Sequence, residues 1–116
     1  VFAKKSPAAN QSADMLTAVA HSFTHGNDNA LRVDRRYLPA GSRVLVVDDF
    51  LADGEASRAL ISIVEQAGCT LVGVGIAVEK GFQPGGRKLR EAGVNLKSLA
   101  IVTSIQDGRI QLADDD

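Results

Sequence analysis

The segment RVLVVDDFLADGEASRALISIVEQAG, residues 43–68, constrains this chain more than any other. Val44 to Val47 are four consecutive aliphatics, the signature of a strand buried on both faces, as in a parallel sheet. Two adjacent carboxylates, Asp48 and Asp49, follow, and then a Gly-bearing turn. Ala56, Ala59, Leu60, Ile63, Val64 and Ala67 recur with a period of 3.6 residues, which predicts an amphipathic helix with these residues on its inner side. Gly68 stands where a helix commonly ends. TLVGVGIAVEK, residues 70–80, then reads as a second buried strand. Strand, helix and strand in that order require a right-handed crossover between parallel strands, so the fold class is α/β.

The flanking sequence fits that frame. Pro84 opens a further helix through Ala92, closed by Gly93. SLAIVTSI is a third strand, QDGR a tight turn, IQLA a short return strand and ADDD a solvated tail. Upstream, MLTAVAHSFT and NALRVDRRYL alternate apolar with polar residues around the turn residues HGND, which predicts a hairpin exposed on one face. PAGS at 39–42 separates it from the next strand. The expectation is one domain over residues 1–116: a parallel sheet flanked by helices, with residues 14–37 as a projecting, flexible hairpin.

Composition excludes several function classes. A net charge of −1 and a pI near 6.1 argue against nucleic acid as the main partner, because phosphate-backbone binders carry a basic excess. Cys69 is the only cysteine, so no internal disulfide forms, and a reducing, cytoplasmic setting is the simpler expectation. The longest apolar run, LVGVGIAV, is far short of the roughly 20 residues of a bilayer helix, so no membrane partner is expected. The chain starts at Val1, its only methionine is Met15, and VFAKK reads as the end of a strand already under way. An N-terminal portion is therefore expected to be missing.

In open α/β sheets ligands bind at the carboxyl ends of strands, where Asp48 and Asp49 stand. A helix beginning a few residues later aims unpaired amides and the positive end of its dipole at the same place, which suits phosphate. Gly54 lets the backbone approach such an anion. Amides for a phosphate, with carboxylates one loop away for hydroxyls or a hard cation, describe a sugar phosphate with its diol on the acids. There is no Gly-Lys-[Ser/Thr] loop and no G-x-G-x-x-G after a strand, so ATPase and dinucleotide readings lose ground. No Ser-His-Asp set or Cys–His metal cluster can be assembled.

VLVVDDFLADGEA resembles the phosphoribosyl-diphosphate (PRPP) motif of the type I phosphoribosyltransferases, and MLTAVAHSFT, IAVEKGFQPGG and LAIVTSI extend the resemblance along nearly the whole chain. These stretches are most similar to the xanthine-using branch of bacteria. The resemblance implies purine salvage: a purine nitrogen displaces pyrophosphate from PRPP, with Mg²⁺ on the pyrophosphate, and xanthine yields xanthosine 5′-monophosphate. It implies that Asp48 and Asp49 hold the ribose hydroxyls at the reacting centre. It further implies that Ala52, Asp53, Gly54, Glu55 and Ala56 hold the 5′-phosphate through their amides. By the same resemblance Lys5, with Lys4 beside it, follows an earlier strand and meets pyrophosphate, and Lys80 donates to an oxygen of the base. An ammonium suits a 6-oxopurine and does not suit the amino group of adenine. A homodimer is also implied. Guanine or hypoxanthine in place of xanthine is the alternative substrate, and a PRPP-binding transcriptional regulator the alternative class, since some repressors resemble the same fold and motif.

The chain departs from the family at Asp53 and Glu55, where the xanthine branch commonly has Asn and Gln. Two acids beside a dianion should weaken PRPP binding, unless they turn outward and cap the helix. Plainer readings attach to other residues. Gly85 and Gly86 form a helix-opening turn, Phe82 is a core or interface ring as readily as a purine platform, and Cys69 is a small hydrophobe. His21 and His25 fall in the hairpin without metal-ligand companions.

Overall fold

The computed structural model describes residues 1, 3–7, 15–22 and 27–113. The chain divides into two compact units, residues 1–44 with 55–72 and residues 45–54 with 73–116.

The first unit holds strands β1 (Lys4–Pro7), β2 (Met15–Ser22) and β3 (Asn27–Asp34) and helix α1 (Glu55–Gln66). The strands form an antiparallel sheet in the order β1-β3-β2. The predicted hairpin is β2 and β3, registered Leu16 to Val33 and Ala18 to Leu31, so its apolar residues share one face. That face packs on α1: Leu16, Leu31 and Val33 cluster with Ala59, Ile63 and Ala67, and Ile63 and Leu16 are each 1% exposed. Val19, of the opposite parity, is exposed, as a half-buried antiparallel sheet requires. The Gln66 side-chain amide donates to the Thr17 carbonyl at 3.0 Å and ties the end of α1 to β2. Gly68, at φ +73°, ends the helix as expected. Ala56 differs from the expected inner face: it is exposed, and Ser57 is buried in its place. The hairpin residues cover α1 from Ala59 onward, and Ala56 lies nearly a turn earlier.

The second unit is built on a four-stranded sheet ordered β4-β5-β6-β7, from strands β4 (Arg43–Leu51), β5 (Thr70–Lys80), β6 (Leu96–Gln106) and β7 (Arg109–Leu112). β5 and β6 are parallel, and β6 and β7 antiparallel, so the sheet is mixed. The QDGR turn closes β6 onto β7 with positive φ at Asp107 and Gly108, the two central positions that a type I′ hairpin demands. Helix α2 (Gly85–Glu91) follows Pro84 and ends at Ala92, before Gly93 at φ +87°. Val46, Val74, Ile76, Leu89, Leu96 and Val102 are buried in this unit.

The expectation of a β4 buried on both faces does not hold. Val46 is 6% exposed, whereas Leu45 and Val47 are 59% and 71% exposed. Only one face of β4 is covered among the described residues, and the aliphatic run is alternating burial in disguise. β4 also continues through Asp48 and Asp49 to Leu51, beyond the Val47 end expected from hydrophobicity. The backbone stays extended because Leu51, 2% exposed, anchors the strand two residues past the acids.

Candidate active site

Asp48 and Asp49 sit on the last part of β4, and their hydrogen bonds follow the extended backbone. The Asp49 amide donates to Asp48 Oδ1 at 2.8 Å, and the Phe50 amide donates to Asp49 Oδ1 at 2.8 Å. Asp48 is half-buried and Asp49 exposed. Burial raises the Asp48 carboxyl above the usual aspartate range, with its neighbour's charge adding to the effect. The hydrogen bond with the Asp48 side chain, followed by that from the Phe50 amide, lowers Asp49. Two adjacent acids are thereby pushed apart, Asp49 charged first and Asp48 holding its proton longer.

The loop after β4 turns on Gly54, at φ +86°, a conformation that L side chains rarely adopt. A Cβ built there would lie 3.2 Å from the Gly85 Cα, so this glycine also allows a close approach to α2. Ala52 and Asp53 are half-buried and Gly54 buried. Glu55 and Ala56 follow as the first two residues of α1, Glu55 half-buried and acidic in the first turn, where the helix dipole favours a negative charge.

Lys80 is the last residue of β5, half-buried and paired with Val102 on β6. Its carbonyl accepts from the Gln83 amide at 3.0 Å, and the Gly81 amide donates to the Val102 carbonyl at 2.8 Å, which ends the strand in a tight turn. Phe82 in that turn is 49% exposed, so it is no core ring. Lys5 lies within β1, opposite Leu31, and not after a strand. Its side chain, those of His21 and His25, and part of the expected 14–37 hairpin lie outside the described residues. Cys69 precedes β5, half-buried, with its Sγ 3.3 Å from the Pro39 carbonyl oxygen.

One group of the fold is not marked by any motif in the sequence. Glu79, 3% exposed, accepts from both terminal guanidinium nitrogens of Arg90 at 2.8 and 2.7 Å and from the Ser98 hydroxyl at 2.6 Å. The pairing holds the Glu79 carboxyl below its ordinary value. A carboxylate in a TLVGVGIAVEK strand was the available signal, because a charge at a buried strand position must find a partner.

No family model matches the chain. It is 46% identical to "Xanthine phosphoribosyltransferase" of Ruminiclostridium cellulolyticum over 114 residues, 98% of this chain and 60% of that protein. It is 46% identical to "Xanthine phosphoribosyltransferase 1" of Clostridium perfringens over 110 residues, 95% of this chain and 58% of that protein. The Stutzerimonas stutzeri protein of the same name is 44% identical over 98% of the chain and 60% of its own length. The chain thus spans about 60% of the length of these relatives. Among solved structures, adenine phosphoribosyltransferase from Thermoanaerobacter pseudethanolicus superposes with a TM-score of 0.69 at 26% identity, covering 86% of this chain and 55% of that one. The Trypanosoma brucei adenine phosphoribosyltransferase, in complex with AMP, pyrophosphate and ribose-5-phosphate, gives 0.72 at 20% identity over 90% of this chain and 47% of that one. Along nearly its whole length the chain is similar in sequence to the xanthine phosphoribosyltransferases of bacteria, and its fold is that of the phosphoribosyltransferases.

Proposed function

We propose that the intact protein is a glycosyltransferase of purine salvage that moves the 5-phosphoribosyl group of PRPP to xanthine, giving xanthosine 5′-monophosphate and pyrophosphate. The observation that carries this reading is the match to xanthine phosphoribosyltransferases over 98% of the chain, with the acid pair and glycine loop intact within it. Asp48 and Asp49 accept hydrogen bonds from the ribose hydroxyls. The amides from Ala52 to Ala56 hold the 5′-phosphate, Lys5 meets pyrophosphate, and Lys80 donates to the oxygen of a 6-oxopurine.

Among the described residues no three metal-ligating side chains cluster; of the carboxylates at the site, Asp48 and Asp49 are adjacent on β4. That donor set fits Mg²⁺, which takes one or two carboxylates and otherwise substrate phosphates. When bound, the ion would neutralise charge on departing pyrophosphate. The protein's own part is positioning and charge stabilisation around an oxocarbenium-like centre, with the hairpin from residue 14 to 37 as the hood that excludes water. No described helix is long and apolar enough to cross a membrane. A cytoplasmic homodimer is part of the proposal.

The test is base-dependent release of pyrophosphate from PRPP by the intact protein. Release with xanthine supports the reading. PRPP binding without turnover on any base moves it to a sensing module.

A further inference from the structure

The proposed phosphate loop does not stand alone, because the start of α2 is packed directly on its backbone. The Gly85 amide donates to the Ala52 carbonyl at 3.0 Å. A Cβ on Gly85 would fall 2.5 Å from the Ala52 oxygen, 2.6 Å from the Gly54 nitrogen and 2.7 Å from the Asp53 carbonyl carbon. All three are main-chain atoms, which cannot swing aside as a side chain would. Gly85 is helical, so its backbone conformation does not require glycine. In a helix glycine is less favourable than alanine by about 0.5–1 kcal/mol, and the contact with the loop explains its presence here.

The next residues fasten α2 in that seat. A Cβ on Gly86 would collide with Glu79 Oε2, so this position too admits only glycine without displacement of the carboxylate. Glu79 grips Arg90, one turn on, through both terminal guanidinium nitrogens, and Ser98 holds Glu79 from β6. Arg90 is 42% exposed at its side chain and Glu79 4%, so the buried partner is the carboxylate on β5, next to Lys80. The fork geometry of such a pair fixes direction as well as distance.

We propose that Gly85 is a positioning residue for the ribose-phosphate end of the substrate: with α2 latched by Glu79 and Arg90, it buttresses the Ala52–Gly54 loop and sets the aim of its amides. This rests on the reading of that loop as the phosphate site. An added methyl at Gly85 pushes on the Gly54 nitrogen, one of the amides a phosphate would use. Its effect belongs to PRPP and not to the base.

The experiment compares the intact wild-type protein with Gly85→Ala and Gly93→Ala, by calorimetric PRPP binding and by KM for PRPP and for xanthine. Gly93 has φ +87° and no atom within 4 Å of a built Cβ, so its substitution strains the same unit without touching the loop. The expected result is a loss of PRPP affinity of about tenfold or more in Gly85→Ala, with the KM for xanthine within twofold of wild type. Gly93→Ala should keep both constants, whatever its loss of thermal stability. If Gly85→Ala does not fold, Arg90→Gln loosens the latch without adding an atom, and a rise of several-fold in KM for PRPP alone is expected. Wild-type PRPP affinity in Gly85→Ala, or equal rises in both constants, overturns the proposal while leaving the function intact. A wild-type protein that does not bind PRPP removes the functional reading and this inference with it.

Discussion

The Asp49 amide donates to the Asp48 carboxylate across 2.8 Å, and the two neighbouring acids are driven apart in acidity by their surroundings. Burial is the leading cause for Asp48, the hydrogen bond with Asp48 for Asp49. Carboxyl NMR titration should place Asp48 above its ordinary 3.8 and Asp49 below it. In Asp49→Asn, Asp48 should remain raised because burial persists. A return of Asp48 to its ordinary value would make the neighbouring charge the dominant cause. Either Asp→Asn change should lower kcat/KM by about 10²-fold, the usual scale for removing one group that stabilises a developing charge.

Gly41 and Gly54 share φ +86°, yet a Cβ meets nothing within 4 Å at Gly41 and lies 3.2 Å from the Gly85 Cα at Gly54. Alanine at either position should cost about 1 kcal/mol in backbone strain. Thermal unfolding should show a similar loss for both, with an additional loss in Gly54→Ala. Only Gly54→Ala should weaken PRPP binding in calorimetry. Equal PRPP affinities for the two variants would place the anion site elsewhere.

The Glu79–Arg90 pair makes a pH prediction with a definite sign. Because the partner holds Glu79 below its ordinary 4.5, its contribution to stability is fully present above that pH and is lost as pH falls through the folded-state value. Glu79→Gln should cost about 2 kcal/mol at pH 7, the scale of a hydrogen bond to a charged group. The difference in melting temperature between wild type and Glu79→Gln should shrink steadily below about pH 4.5. A difference that is constant down to pH 3 contradicts the ion pair.

Asp53 and Glu55, where the family resemblance implies amides, are both half-buried in the proposed phosphate loop. The double change Asp53→Asn with Glu55→Gln removes two negative charges from the neighbourhood of a dianion. PRPP affinity should rise several-fold, and the gain should diminish with added salt as the charges are screened. Unchanged affinity would show that neither carboxylate is felt at the anion.

The sequence made some of this legible and hid the rest for physical reasons. Strands, helices and the hairpin were readable because Leu16, Leu31, Val33, Ile63, Val64, Val74 and Ile76 obey the periods of their elements and are buried. The carboxylates and Gly54 were readable because motif and loop are contiguous. β4 misled, since Val44 to Val47 give no sign that Leu45 and Val47 face outward. The clamp on the loop was unreadable because it joins Ala52 to Gly85 and Glu79 to Arg90, residues that only the fold brings together. Gly85 and Gly86 read as a helix-opening turn, and the atoms that exclude a Cβ there lie on other segments.

The central claim is tested most directly by nucleotide formation. The intact protein is given PRPP and Mg²⁺ with xanthine, guanine, hypoxanthine or adenine in turn, and the product is identified by mass spectrometry. The account predicts xanthosine 5′-monophosphate above every other product, no adenine nucleotide, and a KM for xanthine raised at least tenfold in Lys80→Ala with the KM for PRPP little changed. A preference for adenine, or no nucleotide from any base despite PRPP binding, would contradict it.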